Sequence, residues 1–382
     1  MSTPPAMAGL YLHIPFCRRK CPYCDFYSLE NHAEQLAAYP GHLKQHLAWA
    51  IDRGWHQIID SIYFGGGTPS LLPPAAIGAI LDTVARRYAL ADAVEITLEA
   101  NPGTVTRESL TGYRTAGINR LSLGLQSTSD PMLATLGRLH DRATGIAAYR
   151  AARSAGFDNI SLDLMFALPG QTTSALDEDL QAFLSLNPEH LSCYGLTAEP
   201  QTPLQTQIKA GELLLPDAEA YADAYLEIHQ RLTAAGYRHY EIANYARPGF
   251  ASRHNRGYWQ RQPCLGIGAG AHSFFADNWG SRWQVADDLD AFVAALASHR
   301  EPMTCLETFD RQSALRETIY LALRTADGLD AALLEERFAC RFAVEFAPAI
   351  RAARPWLQEV DGHWSLTPAG WLLYDRLIVP FL

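Results

Sequence analysis

Short apolar segments alternate with helical segments through the first two thirds of the chain, and this alternation limits the fold more than any other feature. Six such segments cover residues 10–14, 61–64, 94–98, 120–124, 160–166 and 190–193. Apolar strands that alternate with helices form a parallel sheet covered by helices, as a doubly wound sheet or a barrel. Because six units fall short of the eight of a closed barrel, the sequence predicts an α/β fold built on an open, partial, TIM-like (β/α)6 barrel.

The pattern changes after about residue 236. Three parts are predicted, a core barrel, a connecting segment and a small C-terminal domain, at residues 8–236, 237–309 and 310–382. The last part is mostly helical, with one hairpin signalled by Asp361-Gly362 and a helix start at Thr367-Pro368, which predicts a winged-helix-like domain. The glycine-rich stretch 265–271 lacks the surroundings of a dinucleotide fingerprint, which favours close backbone packing.

Three cysteines with the spacing CxxxCxxC lie on one tight loop after the first predicted strand. They are Cys17, Cys21 and Cys24, and position 26, where a fourth might follow, is Phe26. Iron–sulfur clusters usually take four protein thiolates. A 4Fe–4S cluster on this loop would therefore keep one iron open to a small molecule, which suits binding or chemistry rather than electron transfer alone.

Zinc is the alternative occupant of these thiols, since Cys₃His zinc sites are common. The fourth ligand would then come from His13, Asp25 or His32. Disulfides are disfavoured because the cysteine count of 7 is odd and nothing in the sequence indicates secretion.

Charge and hydropathy exclude several classes of protein. The formal net charge of −10 argues against a nucleic-acid-binding protein, which would carry a basic surplus. The first residues, MSTPPAMA, lack the basic and apolar regions of a signal peptide, and no apolar run reaches the length of a membrane span. The sequence therefore predicts a cytoplasmic protein without a transmembrane segment.

Polar and glycine residues recur just after the predicted strands, at the edge where α/β proteins place their sites. A glycine triplet, Gly65 to Gly67, would let a ligand reach the backbone, although such triplets are often simple turns. Glu99 and Asp163 could bind a hydroxyl or an amino group, and Gln126 offers both a donor and an acceptor. Arg138 could hold a carboxylate in bidentate fashion. Behind six successive strands, these residues together favour a binding site.

The stretch from Tyr11 to Phe26 resembles the cluster loop of the radical S-adenosylmethionine (SAM) superfamily, and more narrowly its coproporphyrinogen III dehydrogenase-like branch. The strand-end residues match that branch in order, so the likeness covers nearly the whole chain. It implies a 4Fe–4S cluster held by Cys17, Cys21 and Cys24. It also implies SAM on the open iron, with contacts from Tyr11, Tyr23, Gly65, Gly66, Gly67, Thr68, Glu99, Gln126, Arg138 and Asp163.

Within that branch the chain resembles the haem chaperones of the HemW family more than the dehydrogenases of the HemN family. The dehydrogenases carry a fourth cysteine where this chain has Phe26, and a longer segment before the cluster loop. The chaperones carry a signature HNxxYW, which stands here at residues 254–259. The resemblance implies haem contact by His254, Asn255, Tyr258 and Trp259.

The chemistry of the signature agrees with that implication. A neutral imidazole such as His254 can ligate haem iron, and Tyr258 and Trp259 offer flat apolar area. Arg253, Arg256 and Arg261 could pair with the haem propionates. Other nearby candidates for the iron ligand are His239, His272 and Cys264. The alternative is a solvent-facing loop whose aromatic residues close the barrel and whose histidine is an ordinary polar residue.

The resemblance implies a haem carrier rather than an enzyme, with haem and haem-accepting proteins as partners. Respiratory enzymes are one class of acceptor, and reaching them would involve peripheral contact with a membrane. The alternative is an enzyme, an oxygen-independent coproporphyrinogen III dehydrogenase that uses SAM for oxidative decarboxylation.

Overall fold

The computed structural model describes residues 7–30 and 32–382. Its strands are β1 (Met7–Ile14), β2 (Phe16–Cys17), β3 (Leu29–Glu30), β4 (Ile58–Gly66), β5 (Leu90–Ala100), β6 (Arg120–Gln126), β7 (Ile160–Phe166), β8 (His190–Gly195), β9 (Arg238–Glu241), β10 (Asn244–Ala246), β11 (Cys264–Ile267), β12 (His272–Phe275), β13 (Ser281–Val285), β14 (Met303–Thr308), β15 (Leu329–Asp330), β16 (Leu357–Val360) and β17 (His363–Leu366).

The α-helices are α1 (Ala33–Asp52), α2 (Pro74–Arg87), α3 (Arg107–Ala116), α4 (Asp130–Thr135), α5 (Arg142–Ser154), α6 (Thr173–Leu186), α7 (Pro203–Lys209), α8 (Ala218–Ala234), α9 (Arg253–Trp259), α10 (Leu289–Ala297), α11 (Arg311–Ala322), α12 (Ala331–Phe338), α13 (Phe342–Glu345), α14 (Ala347–Ala353), α15 (Pro368–Leu372) and α16 (Tyr374–Ile378). Short 3₁₀ helices cover Pro69–Leu71, Pro102–Thr104 and Val379–Phe381.

One sheet of 12 strands organises the molecule, in the order β14-β13-β12-β11-β1-β4-β5-β6-β7-β8-β10-β9. The six predicted strands are its central run, β1 to β8 without the short β2 and β3, and all of them pair in parallel. The two edge strands, β14 and β9, do not pair with each other, so the sheet is open. The predicted α/β class and open, partial barrel are confirmed.

The glycine-rich stretch after residue 264 contains a strand that the sequence analysis did not predict. Strand β11 pairs in parallel with β1 and begins an antiparallel extension through β12, β13 and β14. A methyl group on Gly266 would lie 2.2 Å from the carbonyl oxygen of His272, so a side chain has no room there. The prediction of close backbone packing is therefore confirmed for this stretch.

The strands of the barrel have one apolar and one polar face. In β6, Leu121, Leu123 and Leu125 belong to the hydrophobic core. Arg120 and Ser122, which alternate with them, are buried on the opposite face. Parallel strands are usually apolar on both faces. The polar inner face of this barrel therefore carries groups that can bind ligands.

The C-terminal helices surround a small antiparallel sheet in the order β15-β17-β16. Strands β16 and β17 form the predicted hairpin, with Asp361 and Gly362 both at positive φ as a two-residue turn requires. Thr367 accepts a hydrogen bond from the backbone N–H of Gly370 and so caps α15. The predicted helical domain with one hairpin is confirmed, while its exact boundaries stay a prediction.

Candidate cluster and cofactor site

The three motif cysteines line a single cavity of about 450 Å³ at the carboxyl ends of the barrel strands. Cys17 ends β2, which pairs in parallel with β3 and fixes the start of the loop. The backbone N–H of Cys24 donates to the carbonyl of Cys21 at 3.1 Å and closes the turn. All three side chains are half-buried and unpaired in disulfides. The loop therefore presents three free thiols to one space.

The donor set at this cavity fits a cluster better than a single zinc ion. Within the described ranges, no group of three or more His, Cys, Asp or Glu side chains converges enough to hold one metal ion. His13 is engaged elsewhere, since its Nε2 donates to the carbonyl of Tyr27 at 3.0 Å, and Asp25 is exposed to solvent. A cluster binds each thiolate through a different iron and does not need such convergence.

A hydrogen-bonded network links two of the thiols through residues of other loops. The hydroxyl of Thr68 donates to Cys17 Sγ at 3.6 Å and accepts from the Asn101 amide at 2.9 Å. Arg138 donates to the Asn101 side-chain oxygen and, at 3.5 Å, to Cys21 Sγ. Burial raises the pKa of the Cys17 thiol, and the Thr68 hydroxyl partly offsets this. The network thus orients the loop and places a cation beside its thiols.

Neighbouring atoms leave no room for a side chain at any of the three glycines of the triplet. A methyl group on Gly65 would lie 2.9 Å from the Tyr11 ring, and one on Gly66 would lie 2.7 Å from the His13 ring. One on Gly67 would lie 2.7 Å from the carbonyl oxygen of Phe16. Gly66 also has φ of +108°. Gly66, Gly67 and Thr68 line the cavity, whereas Gly65 does not.

Two carboxyl groups on the floor of the cavity have raised pKa values. Burial raises the pKa of Glu99 to about 7, although a hydrogen bond from the Tyr63 hydroxyl at 2.8 Å opposes the shift. Burial raises the pKa of Asp163 to about 6, against a hydrogen bond from Ser122 at 3.3 Å. Both groups can accept or hold a proton near neutral pH, and both face the cavity.

Gln126 ends β6 with φ of +69°, a conformation that side chains rarely adopt. Its side-chain oxygen is buried without a hydrogen-bond partner in the described residues. Strained backbone and an unsatisfied buried acceptor both favour a ligand contact at this position. Tyr23 lines the same cavity. The cavity thus offers the hydroxyl, amide and carboxyl groups that a polar ligand such as SAM requires.

The cavity therefore unites most of the predicted SAM residues and adds several that the sequence analysis missed. Tyr11 does not line it but stacks against Tyr63 inside the barrel, with ring centroids 6.1 Å apart. The missed lining residues include Asn101, Ser122 and Tyr194. Asn101 could have been predicted as a site residue from the sequence, because it directly follows β5 at the same strand end as Glu99.

The HNxxYW signature forms α9, which lies at the opposite end of the barrel. His254 is 3% exposed, and its Nδ1 and Nε2 hydrogen-bond to the hydroxyls of Ser61 at 3.1 Å and Tyr258 at 3.0 Å. Burial, followed by the nearby Arg120, lowers the pKa of His254 to about 3. Neither ring nitrogen is free in this conformation, so iron ligation by His254 requires one of these bonds to open.

The other residues of the signature, and the residues near it that were predicted to contact haem, differ in how exposed they are to solvent. Tyr258 is 40% exposed, while Trp259 lines a groove of about 220 Å³ with Arg256. Asn255 is half-buried on α9. Arg261 is buried and paired with Glu317, which makes the propionate contact predicted for it wrong. Of the other candidate iron ligands, His239 and Cys264 are buried and His272 is exposed.

The helices of the described residues fall short of the combination of length and apolar character needed to cross a bilayer.

Comparison with known proteins identifies the family. The radical SAM superfamily matches residues 11–183, and the HemN C-terminal domain matches residues 309–373.

In overall structure, the chain is similar to coproporphyrinogen III oxidase (HemN) from Escherichia coli, with a TM-score of 0.85 at 23% identity over 99% of this chain and 90% of that one. The heme chaperone HemW of Escherichia coli is 43% identical over 98% of both chains. That of Bacillus subtilis is 32% identical over 98% of this chain and 99% of its own. The chain belongs to the HemW family of heme chaperones within the radical SAM superfamily.

Proposed function

We propose that this protein binds haem and transfers it to haem-requiring acceptor proteins. The observation that carries the proposal is the similarity of the whole chain to proteins named heme chaperones, which extends through the HNxxYW signature. Phe26 supports it, because this residue is 68% exposed and lines the cluster cavity at the position of the fourth cysteine of the dehydrogenases.

The radical SAM superfamily implies a 4Fe–4S cluster and SAM. We assign the cluster to Cys17, Cys21 and Cys24, whose thiols line one cavity. A cluster held by these three thiolates would leave one iron without a protein ligand, and SAM would bind there. The residues that would contact SAM are Tyr23, Gly66, Gly67, Thr68, Glu99, Gln126, Arg138 and Asp163, with Tyr11 and Gly65 supporting them from inside the barrel.

These residues have distinct tasks. Arg138 places positive charge beside Cys21 and can also hold a ligand carboxylate. Glu99 and Asp163 accept hydrogen bonds from hydroxyl or amino groups. Gln126 satisfies its buried side-chain oxygen when a donor binds.

For haem, we assign contact to the signature, at His254, Asn255, Tyr258 and Trp259. Trp259 supplies an accessible ring, and His254 holds α9 against the barrel while its two hydrogen bonds are intact. The identity of the iron ligand stays a prediction. We place the protein in the cytoplasm, with haem-accepting proteins as partners that it meets directly or at a membrane surface.

Anaerobic reconstitution with iron and sulfide, followed by haem titration, tests the proposal. Soret absorbance should report one tightly bound haem per chain, and coproporphyrinogen III incubated with SAM should yield no protoporphyrinogen. Turnover of coproporphyrinogen III without stable haem binding would instead make the protein a dehydrogenase. Serine variants of Cys17, Cys21 and Cys24 should lose bound iron and sulfide, whereas Cys305→Ser, at an exposed thiol, should retain them.

A further inference from the structure

Two neighbouring strands of the barrel, β4 and β5, contact both the signature helix and the floor of the cluster cavity. On β5, Glu95 is 8% exposed and accepts from the first backbone N–H of α9 at 3.1 Å, and Glu99, four residues later, lines the cavity. On β4, Ser61 bonds to His254, and Tyr63, two residues later, lies on the same face of the strand. The same two strands therefore support both proposed ligand sites.

Tyr63 joins the signature directly to the cavity floor. Its ring stacks on the His254 ring, with centroids 5.0 Å apart and an angle of 25° between the planes. Its hydroxyl donates to Glu99 Oε1 at 2.8 Å. A single side chain thus separates the signature histidine from a carboxyl group proposed to contact SAM.

Tyr11 offers a competing connection, which leads to the cysteine loop instead of to Glu99. Its ring centroid lies 6.2 Å from that of His254, and its hydroxyl donates to His13 Nδ1 at 3.1 Å. His13 Nε2 in turn donates to the carbonyl of Tyr27 at 3.0 Å, just after the last cysteine of the loop. This route is longer by one side chain and ends on the backbone.

The third aromatic contact of His254 stays within the signature and its neighbour β11. The Tyr258 ring packs edge-on against His254, with centroids 4.9 Å apart, and its hydroxyl bonds to His254 Nε2 at 3.0 Å. The same hydroxyl accepts from the Cys264 thiol at 3.8 Å. His254 is therefore held by the signature on one side and by the two barrel tyrosines elsewhere.

We propose that Tyr63 is a positioning residue that couples the two sites, so that SAM at the cavity floor strengthens haem binding at the signature. This inference rests on the proposed function and adds regulation to it. When Glu99 exchanges the Tyr63 hydroxyl for a donor on SAM, the Tyr63 ring loses its anchor and holds His254 less firmly. His254 can then open one of its two hydrogen bonds, as contact with haem iron requires.

Soret difference titration of the reconstituted full-length protein, with and without saturating SAM, tests the coupling. In the wild type, SAM should lower the dissociation constant for haem about fivefold or more. Coupling between two binding sites is reciprocal, so haem should lower the dissociation constant for SAM by the same factor in equilibrium dialysis. General destabilisation of the fold would change both affinities without producing this matched ratio.

Conservative variants then identify the residue. Tyr63→Phe keeps the stacked ring and removes the hydroxyl, so it should bind haem without SAM as tightly as the wild type does with SAM, and SAM should add less than about twofold. Tyr88→Phe is the matched control, because it removes a buried hydroxyl that bonds the Leu47 carbonyl at 2.8 Å in the helix layer. It should keep the full effect of SAM, and so should Tyr11→Phe.

Haem binding that SAM does not change in the wild type would overturn the coupling. An equal effect of SAM in the wild type and in Tyr63→Phe would overturn the role of Tyr63, as would a loss of the effect in Tyr11→Phe alone. If the wild-type protein binds no haem with or without SAM, it is the proposed function that fails.

Discussion

The side-chain amide of Asn101 donates a hydrogen bond to the hydroxyl of Thr68 at 2.9 Å, although the two residues follow different strands of the barrel. Thr68 in turn donates to Cys17 Sγ, and Arg138 donates to the Asn101 side-chain oxygen. One amide thus joins the cluster loop to the arginine beside it, so the geometry of the cavity depends on a residue that carries no cofactor chemistry.

We expect Asn101→Ala to weaken SAM binding about tenfold, because a hydrogen bond to a charged group contributes roughly 1.5–3 kcal/mol and Arg138 would keep only its bond to the Gly124 carbonyl at 2.9 Å and its contact with Cys21. Equilibrium dialysis of the reconstituted protein measures the affinity. Asn119→Ala is the matched control, since among the described residues the side chain of Asn119 bonds the backbone of Ile96 and Val94. It should lower stability and leave SAM affinity intact. Equal affinities in the wild type and Asn101→Ala would contradict the role of this network.

Gly66→Ala should lower the free energy of unfolding by about 2 kcal/mol or more. The new methyl group would lie 2.7 Å from the His13 ring, and φ of +108° strains any side chain. Urea denaturation measures the change. Gly103→Ala, at the mouth of the same cavity with nothing within 4 Å, should change it by less than about 0.5 kcal/mol. Similar losses in both variants would show that the glycine triplet is not constrained in this way.

His254→Ala should lower the free energy of unfolding by roughly 3 kcal/mol, because it leaves a cavity and removes the partners of Ser61 and Tyr258. At a temperature where the variant is folded, we expect haem affinity to fall as well, because His254 belongs to the signature to which haem contact is assigned. Unchanged haem affinity in His254→Ala, measured by Soret titration, would contradict that assignment for this residue.

Stability should depend on pH through Glu241, which is 1% exposed. Burial raises its pKa from 4.5 to about 7, against a hydrogen bond from Asn244. Between these values the folded state holds a proton that the unfolded state releases. The contribution of Glu241 is therefore present below about pH 4.5 and is lost as the pH rises to about 7, by up to about 1.4 kcal/mol per unit.

Glu241→Gln should remove that slope, because the amide keeps the shape of the carboxyl and does not titrate. Denaturation curves of both proteins between pH 5 and pH 8 provide the comparison. Parallel curves across this range would mean that Glu241 does not hold its proton near neutral pH.

Local patterns in the sequence were sufficient to predict the barrel and the loop of three cysteines. The alternation of apolar strands and helices has a fixed period, and the three cysteines lie within eight residues of each other. Strand ends of a parallel sheet meet at one edge, so Glu99, Gln126 and Asp163 were expected to lie together. The antiparallel extension after β11 was missed because glycines there interrupt the strand pattern.

The sequence by itself determined the fold class and the loop of three cysteines, because these follow from short-range periodicity and spacing. The contacts predicted around that loop came from the resemblance to the radical SAM superfamily. Only the tertiary structure decided how the signature is used. His254 bonds to Ser61 across 193 residues, and Arg324 meets Trp259 across the boundary of the C-terminal domain. Such contacts depend on how distant segments pack, and no local pattern encodes which hydrogen-bond partners a buried histidine takes.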